Sequence, residues 1–439
     1  MVEATSISAQ RAIRMLEEAG YQAGLVGGCV RDILMGVAPH DYDVTTNATP
    51  KEMRVVFQNE RVIETGIKHG TVTVLIDNEP IEITTFRIDG EYKDNRHPES
   101  VTFSRTVDKD LERRDFTINA LYYDLDKGIV DLFGGKEDIK NKVIKAVGNP
   151  GKRFQEDALR ILRAIRFSST LGFEIEENTK KAMVENKHLL ANISAERVAV
   201  EINKFVMGKN VKRAILENYE ILGEVCPAFV QMHGFNQFNK WHIYDVLEHT
   251  AVAVESTPLK LPLRLSMLFH DTGKPQAFFK DENGVGHFYG HGDISAEIVK
   301  EYLNKYKYDN ATKSKVYWLV KHHDLYTELD EVLIKKRINR MGKEEFLDLI
   351  KIQRADNAAQ NPELTHMEHF DLLEKMVEDI AKRSCLNLNS LAINGTDLIN
   401  EGFEAGRKIG DTLHTLLNEV IENKIENTKE ALIKRAKEL

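Results

Sequence analysis

Cysteine, long apolar runs and excess positive charge are all scarce in this sequence, and each scarcity removes a class of protein. The three cysteines, Cys29, Cys226 and Cys385, are widely spaced and match neither a disulfide framework nor a zinc-ligand pattern. A reducing compartment is therefore expected, with Cys29 a small packing residue. The opening MVEATSISAQRAIRML lacks a basic start followed by a long apolar stretch, and no later run approaches the roughly 18 apolar residues of a membrane helix. A soluble, cytoplasmic protein without a membrane partner is the expectation. The formal net charge of −9 argues against a uniformly basic nucleic-acid binder, so any polyanion must be met by local patches of Lys and Arg.

What is present is ordinary in bulk. At 439 residues, with 42% hydrophobic and 29% charged, the chain has material for two to four domains, each with its own core. The informative stretch is LVGGCVRDILMGVAPHDYDVTT, Leu25 to Thr46. Gly27 and Gly28 allow a tight turn and close approach of backbone amides to a polyanion. Arg31 follows at the start of an expected helix. Asp41 and Asp43 stand two apart in an expected strand, where period-two geometry puts both carboxylates on one face. Two acidic oxygens beside a phosphate cradle suit Mg²⁺, which bridges protein to triphosphate and activates an attacking hydroxyl. A lone Gly-Gly is more often a loop and a lone Asp-x-Asp a pair of turn acids; their order together favours a site.

Around this stretch the pattern is helix (Ser8 to Ala19, closed by Gly20), strand (Tyr21 to Val26), glycine turn, helix, strand. TTNATPKEMRVVF reads as a capped helix with Pro50 in its first turn. Thr71 to Ile76 and Ile81 to Phe86 read as a hairpin around Asp77, Asn78 and Pro80. Glu82 on its second strand is either a third carboxylate facing Asp41 and Asp43 or a solvent-facing strand acid, and both readings stand. RIDGEYKDNRHPES, between Phe86 and Val101, is polar and aperiodic and is expected to be a mobile loop at the site mouth. Arg113 and Arg114 beside Asp115 would ordinarily be a surface salt bridge; close in sequence to the glycine turn, the two cations could instead clamp a triphosphate, with Asp115 or Asn119 accepting from a ribose hydroxyl. From Phe154, FQEDALRILRAIRFSSTLGF reads as one amphipathic helix with Ala158, Leu159, Ile161, Leu162 and Ile165 on its buried side. Asp157 and Arg160 are expected on the other side, within reach of each other and able to present acceptors and donors to a base edge.

GGCVRD, DYD, RRDFTINAL and EDALRILRAIRF, in this order, resemble the motifs of class II tRNA nucleotidyltransferases, the CCA-adding enzymes, and of the related bacterial poly(A) polymerases. The resemblance covers residues 20 to 170. It implies an α+β nucleotidyltransferase head, with a polymerase-beta-like mixed sheet and helices, followed by an all-α neck, body and tail. The expected divisions are 1–148 (head), 149–235 (neck and RNA-binding region), 236–360 (body) and 361–439 (tail). It further implies that Asp41 and Asp43 hold Mg²⁺ and that Arg31 and the glycine turn hold the triphosphate; Glu82, from its strand position, is carried beside them as a candidate catalytic residue. By the same likeness Arg114, Asp115 and Asn119 contact the incoming nucleotide, and Asp157, Arg160 and Arg163 form a protein template that reads CTP or ATP. The partners implied are the tRNA 3′ end, CTP and ATP. The full-length loop DGEYKDNRHPESVTF resembles the one the family needs to add the terminal A.

A second constellation runs His249, His270-Asp271, His291, His322 and His323, then Asp356, with His322 taken as the ligand of its pair. This order resembles HD-domain phosphohydrolases, in which imidazoles and carboxylates converge on one or two divalent metals that generate hydroxide. Ser194 is a plausible helix cap in the neck. The tail cations Lys424, Lys429, Lys434, Arg435 and Lys437 are candidates for phosphate contacts. Three readings compete with CCA addition: addition of the final A alone, poly(A) synthesis, and a phosphohydrolase whose work lies in the HD constellation. Oligomeric state is not readable.

Overall fold

The first helix, α1 (Ile7–Glu18), forms because Ala9, Ala12, Ile13 and Leu16 recur at helical spacing and are fully buried, while the Ser6 hydroxyl accepts from the Ala9 N–H. A computed structural model of the protein describes residues 5–64, 66, 67, 70–90 and 101–439. After α1 come β1 (Ala23–Val26), α2 (Gly28–Leu34), β2 (Asp43–Thr46), α3 (Pro50–Val56), β3 (Arg61–Ile63), β4 (Thr71–Ile76) and β5 (Glu79–Thr85). Then follow β6 (Arg87–Asp89), β7 (Val101–Phe103), α4 (Val107–Glu112), β8 (Leu121–Asp124), β9 (Gly128–Asp131) and α5 (Gly135–Asn141). Seven of these strands make one mixed sheet in the order β3-β4-β5-β2-β1-β8-β9. Only β2 and β5 pair in parallel, with Asp43 beside Glu82; the other neighbours are antiparallel. The α1 stripe packs with Leu25, Val44, Val72, Val74, Ile81 and Ile83 in one core.

Local chemistry sets the connections. Thr49 and Glu52 close a capping box at α3, with Pro50 in the first turn, where a missing N–H costs nothing. Asp77 and Asn78 both take positive φ, 52° and 66°, the mirror-image turn that matches the twist of a hairpin. Pro80 is not in that turn; it is already paired with Leu75 across β4 and β5. The polar stretch after Phe86 is also more regular than expected, since Arg87–Asp89 pairs antiparallel with Val101–Phe103. The rest of the expected loop, residues 91–100, lies outside the described residues.

The single helix expected from Phe154 is instead two, α6 (Pro150–Glu156) and α7 (Leu159–Leu171). Asp157 is extended (φ −142°, ψ 100°), and its carboxylate accepts from the Leu159 N–H at 3.1 Å in a local turn, so the first helix ends three residues after the motif begins and a new one starts. The buried side of α7 includes Leu159, Ile161, Leu162 and Ile165. Helices continue to the C-terminus, broken only by short strands and turns. Ser194 stands at the N-terminus of helix Ala195–Val206, although its side chain makes no cap hydrogen bond.

Two compact units result, one of residues 1–230 with 305–307 and one of residues 231–304 with 308–439. The first holds the mixed sheet and its helices. The second is mostly helical and ends in a separate small core around Leu398, Leu416, Leu417, Ile421 and Leu432. No helix among the described residues is long and apolar enough to cross a membrane.

Thr49→Ala removes the side-chain half of the α3 capping box. It should destabilise the sheet-bearing unit by about 1 kcal/mol, seen as a lower urea midpoint with unchanged slope.

Candidate active site and histidine cluster

The sheet brings three carboxylates to one place. Tyr42 turns inward to the core, so Asp41, just before β2, and Asp43, its first residue, project on the opposite side. Parallel pairing sets Glu82 directly beside Asp43. Loss of bulk water and the charges of Asp43 and Asp41 push the Glu82 carboxyl above its ordinary value, so Glu82 faces the aspartates rather than standing alone. Asp43 is raised as well, by displaced water and by Asp41, against the opposing pull of Arg114. Among the described residues, no hydrogen bond or ion pair closes the side chain of Asp41, Asp43 or Glu82.

The glycine turn lies at the end of β1. Gly27 has φ +81°, its N–H donates to the Leu121 carbonyl at 3.1 Å, and an added Cβ would meet Arg114 Nη1 at 2.9 Å. Gly28 opens α2 and would tolerate a Cβ, which meets only Arg31 Nη2 at 3.7 Å. Arg114 is thus held over the turn and towards Asp43. Its other hand rests on buried Asp110 at 3.1 Å, which also binds Arg113 at 2.7 Å. The expected pair of clamping arginines is therefore anchored by an acid that sequence reading passed over.

Behind the turn a buried chain of polar contacts joins distant segments. Arg31 Nη1 donates to Asn119 Oδ1 at 2.7 Å, Asn119 Nδ2 donates to Asp115 Oδ1 at 3.1 Å, and Arg163 meets Asp115 Oδ2 at 2.6 Å. Phe167 is the common floor, with the guanidinium carbons of Arg31, Arg163 and Arg166 at 5.1, 5.5 and 4.2 Å from its ring centre. Burial alone would raise Asp115; Arg163, the Asn119 hydrogen bond and Arg160 outweigh it and hold the carboxyl down to about 2.

Asp157 and Arg160 do not meet. Because the helix breaks between them, Asp157 Oδ2 pairs with Arg197 at 2.7 Å, a residue no motif had flagged. Buried Arg160 binds Glu156 at 2.8 Å and donates to the carbonyls of Arg153 and Arg113 at 3.1 and 2.8 Å. The expected Asp157–Arg160 pair is therefore corrected to two separate anchors.

In the second unit six side chains converge. His249, His270, Asp271 and Asp356 form one group of donor atoms within 4.8 Å of one another, and Asp271, His291 and His323 form another. Asp271 belongs to both. Every imidazole is oriented the same way: the Nδ1–H groups donate to the carbonyls of Ala359, Met267, Phe288 and Val320 at 2.7 to 3.2 Å. That leaves four Nε2 atoms turned inward, the arrangement of metal-ligating histidines fixed by their outer hydrogen bonds. His323, not His322, completes the set. Val316, Leu319, Val320 and His323 share the buried stripe of helix Asn310–His322, and the adjacent position is turned about 100° away, so the His322 ring lies tilted against Trp318 instead. Burial alone would lower His270, but Asp271 and Asp356 outweigh it and push it up to about 10. Lys274 adds an ammonium 2.6 Å from Asp271 Oδ2 and is itself held by Gln237 at 2.8 Å.

Of the tail cations, Lys424, Lys429, Arg435 and Lys437 pair with Glu422, Asp397, Glu419 and Glu401. Their charges are largely answered within the protein.

Comparison with known proteins decides the family. The profile described as poly A polymerase head domain matches residues 23–145, that of a probable RNA and SrmB-binding site of polymerase A matches 172–232, and that of tRNA nucleotidyltransferase domain 2 matches 287–436. The CCA-adding enzyme of Lactobacillus helveticus is 35% identical over 436 residues, covering 99% of this chain and 97% of its own. The chain belongs to the CCA-adding enzymes. The CCA-adding enzyme of Ligilactobacillus salivarius is also 35% identical, over 97% of this chain and 95% of its own. Among solved structures, the Bacillus stearothermophilus CCA-adding enzyme in complex with CTP superposes with a TM-score of 0.73 at 28% identity, covering 98% of this chain and 96% of that one. As a CCA-adding enzyme the protein is a nucleotidyltransferase of tRNA processing, with an α+β head and a mostly helical remainder.

Asp115→Ala leaves the Arg163 guanidinium without its partner. It should cost about 2 kcal/mol in urea unfolding, discounted because Arg163 keeps a third of its side chain exposed. The sign of the pH dependence follows from the depressed carboxyl. Stability from this pair is fully present above the ordinary aspartate value of about 4 and is lost as pH falls through about 2, a component the variant should lack.

Proposed function

We propose that the enzyme builds or repairs the 3′-terminal CCA of tRNA from CTP and ATP without a nucleic-acid template, at the face formed by Asp41, Asp43 and Glu82. The observation that carries this is the set of three mutually repelling carboxylates, unpartnered among the described residues, beside Arg114 and the Gly27 turn. Their hard oxygen donors fit Mg²⁺, which is bound through few carboxylates plus substrate phosphates. When bound, it supplies charge that acidifies the attacking hydroxyl and stabilises the leaving pyrophosphate. In the reaction the RNA 3′-hydroxyl attacks the α-phosphorus of the nucleotide. One P–O bond forms, the bond to the bridging oxygen breaks, and pyrophosphate departs. Gly27 and Gly28, Arg31 and Arg114 hold the triphosphate; Asp115 and Asn119 set the ribose; Asp157, Arg160 and Arg163 read the base. The cytoplasm is the proposed location, and 1–148, 149–235, 236–360 and 361–439 are the proposed head, neck, body and tail.

A direct test is extension of three labelled tRNAs, ending before CCA, after C and after CC, with CTP, ATP or both. Orderly extension that stops at CCA on all three is expected. One A added only to the CC-ended tRNA would make this an A-adding enzyme, and continued A addition a poly(A) polymerase. Asp41→Ala should lower both additions by at least about 100-fold, and Arg160→Ala should reduce CTP/ATP discrimination more than triphosphate affinity. Substantial activity in the first variant removes the metal-holding role from Asp41.

The four inward Nε2 atoms favour a second activity in the helical unit, hydrolysis of phosphoesters. His249, His270, Asp271 and Asp356, with His291 and His323, would hold one or two divalent metals that generate hydroxide. Phosphoesterase activity that survives Asp43→Ala but disappears with His270→Ala is the expected result. Loss in both variants would assign it to the head.

A further inference from the structure

A cleft of about 750 Å³ lies within the helical unit, between helices Asn310–His322 and Glu331–Met341. That volume is in the range of small-molecule sites. Its walls are of two kinds. Trp318, Leu333 and Met341 give an apolar side, with the His322 ring centred 5.0 Å from the Trp318 ring.

The other wall is cationic and only partly answered. Lys336 pairs with Glu422 at 2.6 Å, and Lys315 with Asp348 at 2.9 Å and the rim residue Glu345 at 3.9 Å. Arg337 and Arg340 differ. Among the described residues, Arg337 donates only to a neutral carbonyl, that of Tyr326, at 2.8 Å, and its buried Nε has no acceptor. Arg340 is exposed and has no hydrogen bond or ion pair among the described residues. The two guanidinium groups act on each other, as the lowered Arg337 shows after burial is taken into account. An anion would relieve both. Planar forked donors favour phosphate, and an indole favours a flat ring system.

We propose that this cleft binds a nucleoside phosphate, its base against Trp318 and its phosphate on Arg337 and Arg340. The same chemistry is offered by a free mononucleotide and by a nucleotide within RNA. Its lining residues are none of the carboxylates of the first unit and none of the six side chains of the histidine cluster, and binding here needs neither to be active.

The protein has two tryptophans, so Trp241→Phe in the full chain leaves Trp318 as the sole indole. Titration of its fluorescence with AMP, adenosine, inorganic phosphate and a short oligoadenylate tests the proposal. Saturable quenching by AMP is expected, with adenosine needing at least about tenfold more and phosphate displacing AMP. Adding Arg340→Gln should remove the preference for AMP over adenosine, which separates this site from nucleotide bound in the head. Oligoadenylate binding at least about tenfold tighter than AMP names RNA as the source; equal or weaker binding names the free nucleotide. Absence of saturable quenching by AMP and oligoadenylate overturns the proposal. So does equal response to adenosine, or a preference for AMP that survives Arg340→Gln.

Discussion

Parallel pairing of β2 with β5 is the constraint on which the head depends. It sets Asp43 beside Glu82, and the strand alternation that buries Tyr42 turns Asp41 to the same side. Three like charges in one place are unfavourable, and no hydrogen bond among the described residues answers them directly. The sheet can afford this repulsion because its other face is a continuous apolar core reaching α1. Arg114 supplies part of the compensation at a distance, and its own position is fixed by Asp110 on the helix before it. The turn at Gly27 must then have no side chain, because the guanidinium occupies that space.

The network around Asp115 is organised differently. There the charges are satisfied before any ligand arrives. Asp115 joins Asn119 to Arg163, Asn119 joins Arg31, and three arginines share the Phe167 ring. Such a buried network is stiff, since any member that leaves strands another in a poor dielectric. A rigid polar frame thus stands in the same unit as a carboxylate patch whose charges no hydrogen bond among the described residues answers.

Much of this was legible in the sequence because it is local. The α1 stripe, the capping box at Thr49, the Asp77-Asn78 hairpin and the mixed α+β character of the head all follow from spacing or from residues within a few positions. The motif residues were likewise visible, as was the order of the histidine constellation. What was not legible depends on partners far away in the chain. Arg197, which takes Asp157, and Asp110, which anchors two arginines, have no signature that separates them from surface charges. The break at Asp157 was hidden because an aspartate can sit within a helix or cap a new one, and only the extended backbone decides. His322 and His323 differ by one residue. The stripe of Val316, Leu319 and Val320 points to His323, and that periodicity was the available signal.

Helix Asn310–His322 ends with neighbouring histidines on different sides, one ring against the cleft and the next among the six donor groups. One short element therefore forms a wall of both places. A small rotation of that helix end would move both rings at once, and any coupling it produced would be reciprocal: the factor by which an occupant of the cleft changed affinity at the donor groups, an occupant of the donor groups would return to the cleft.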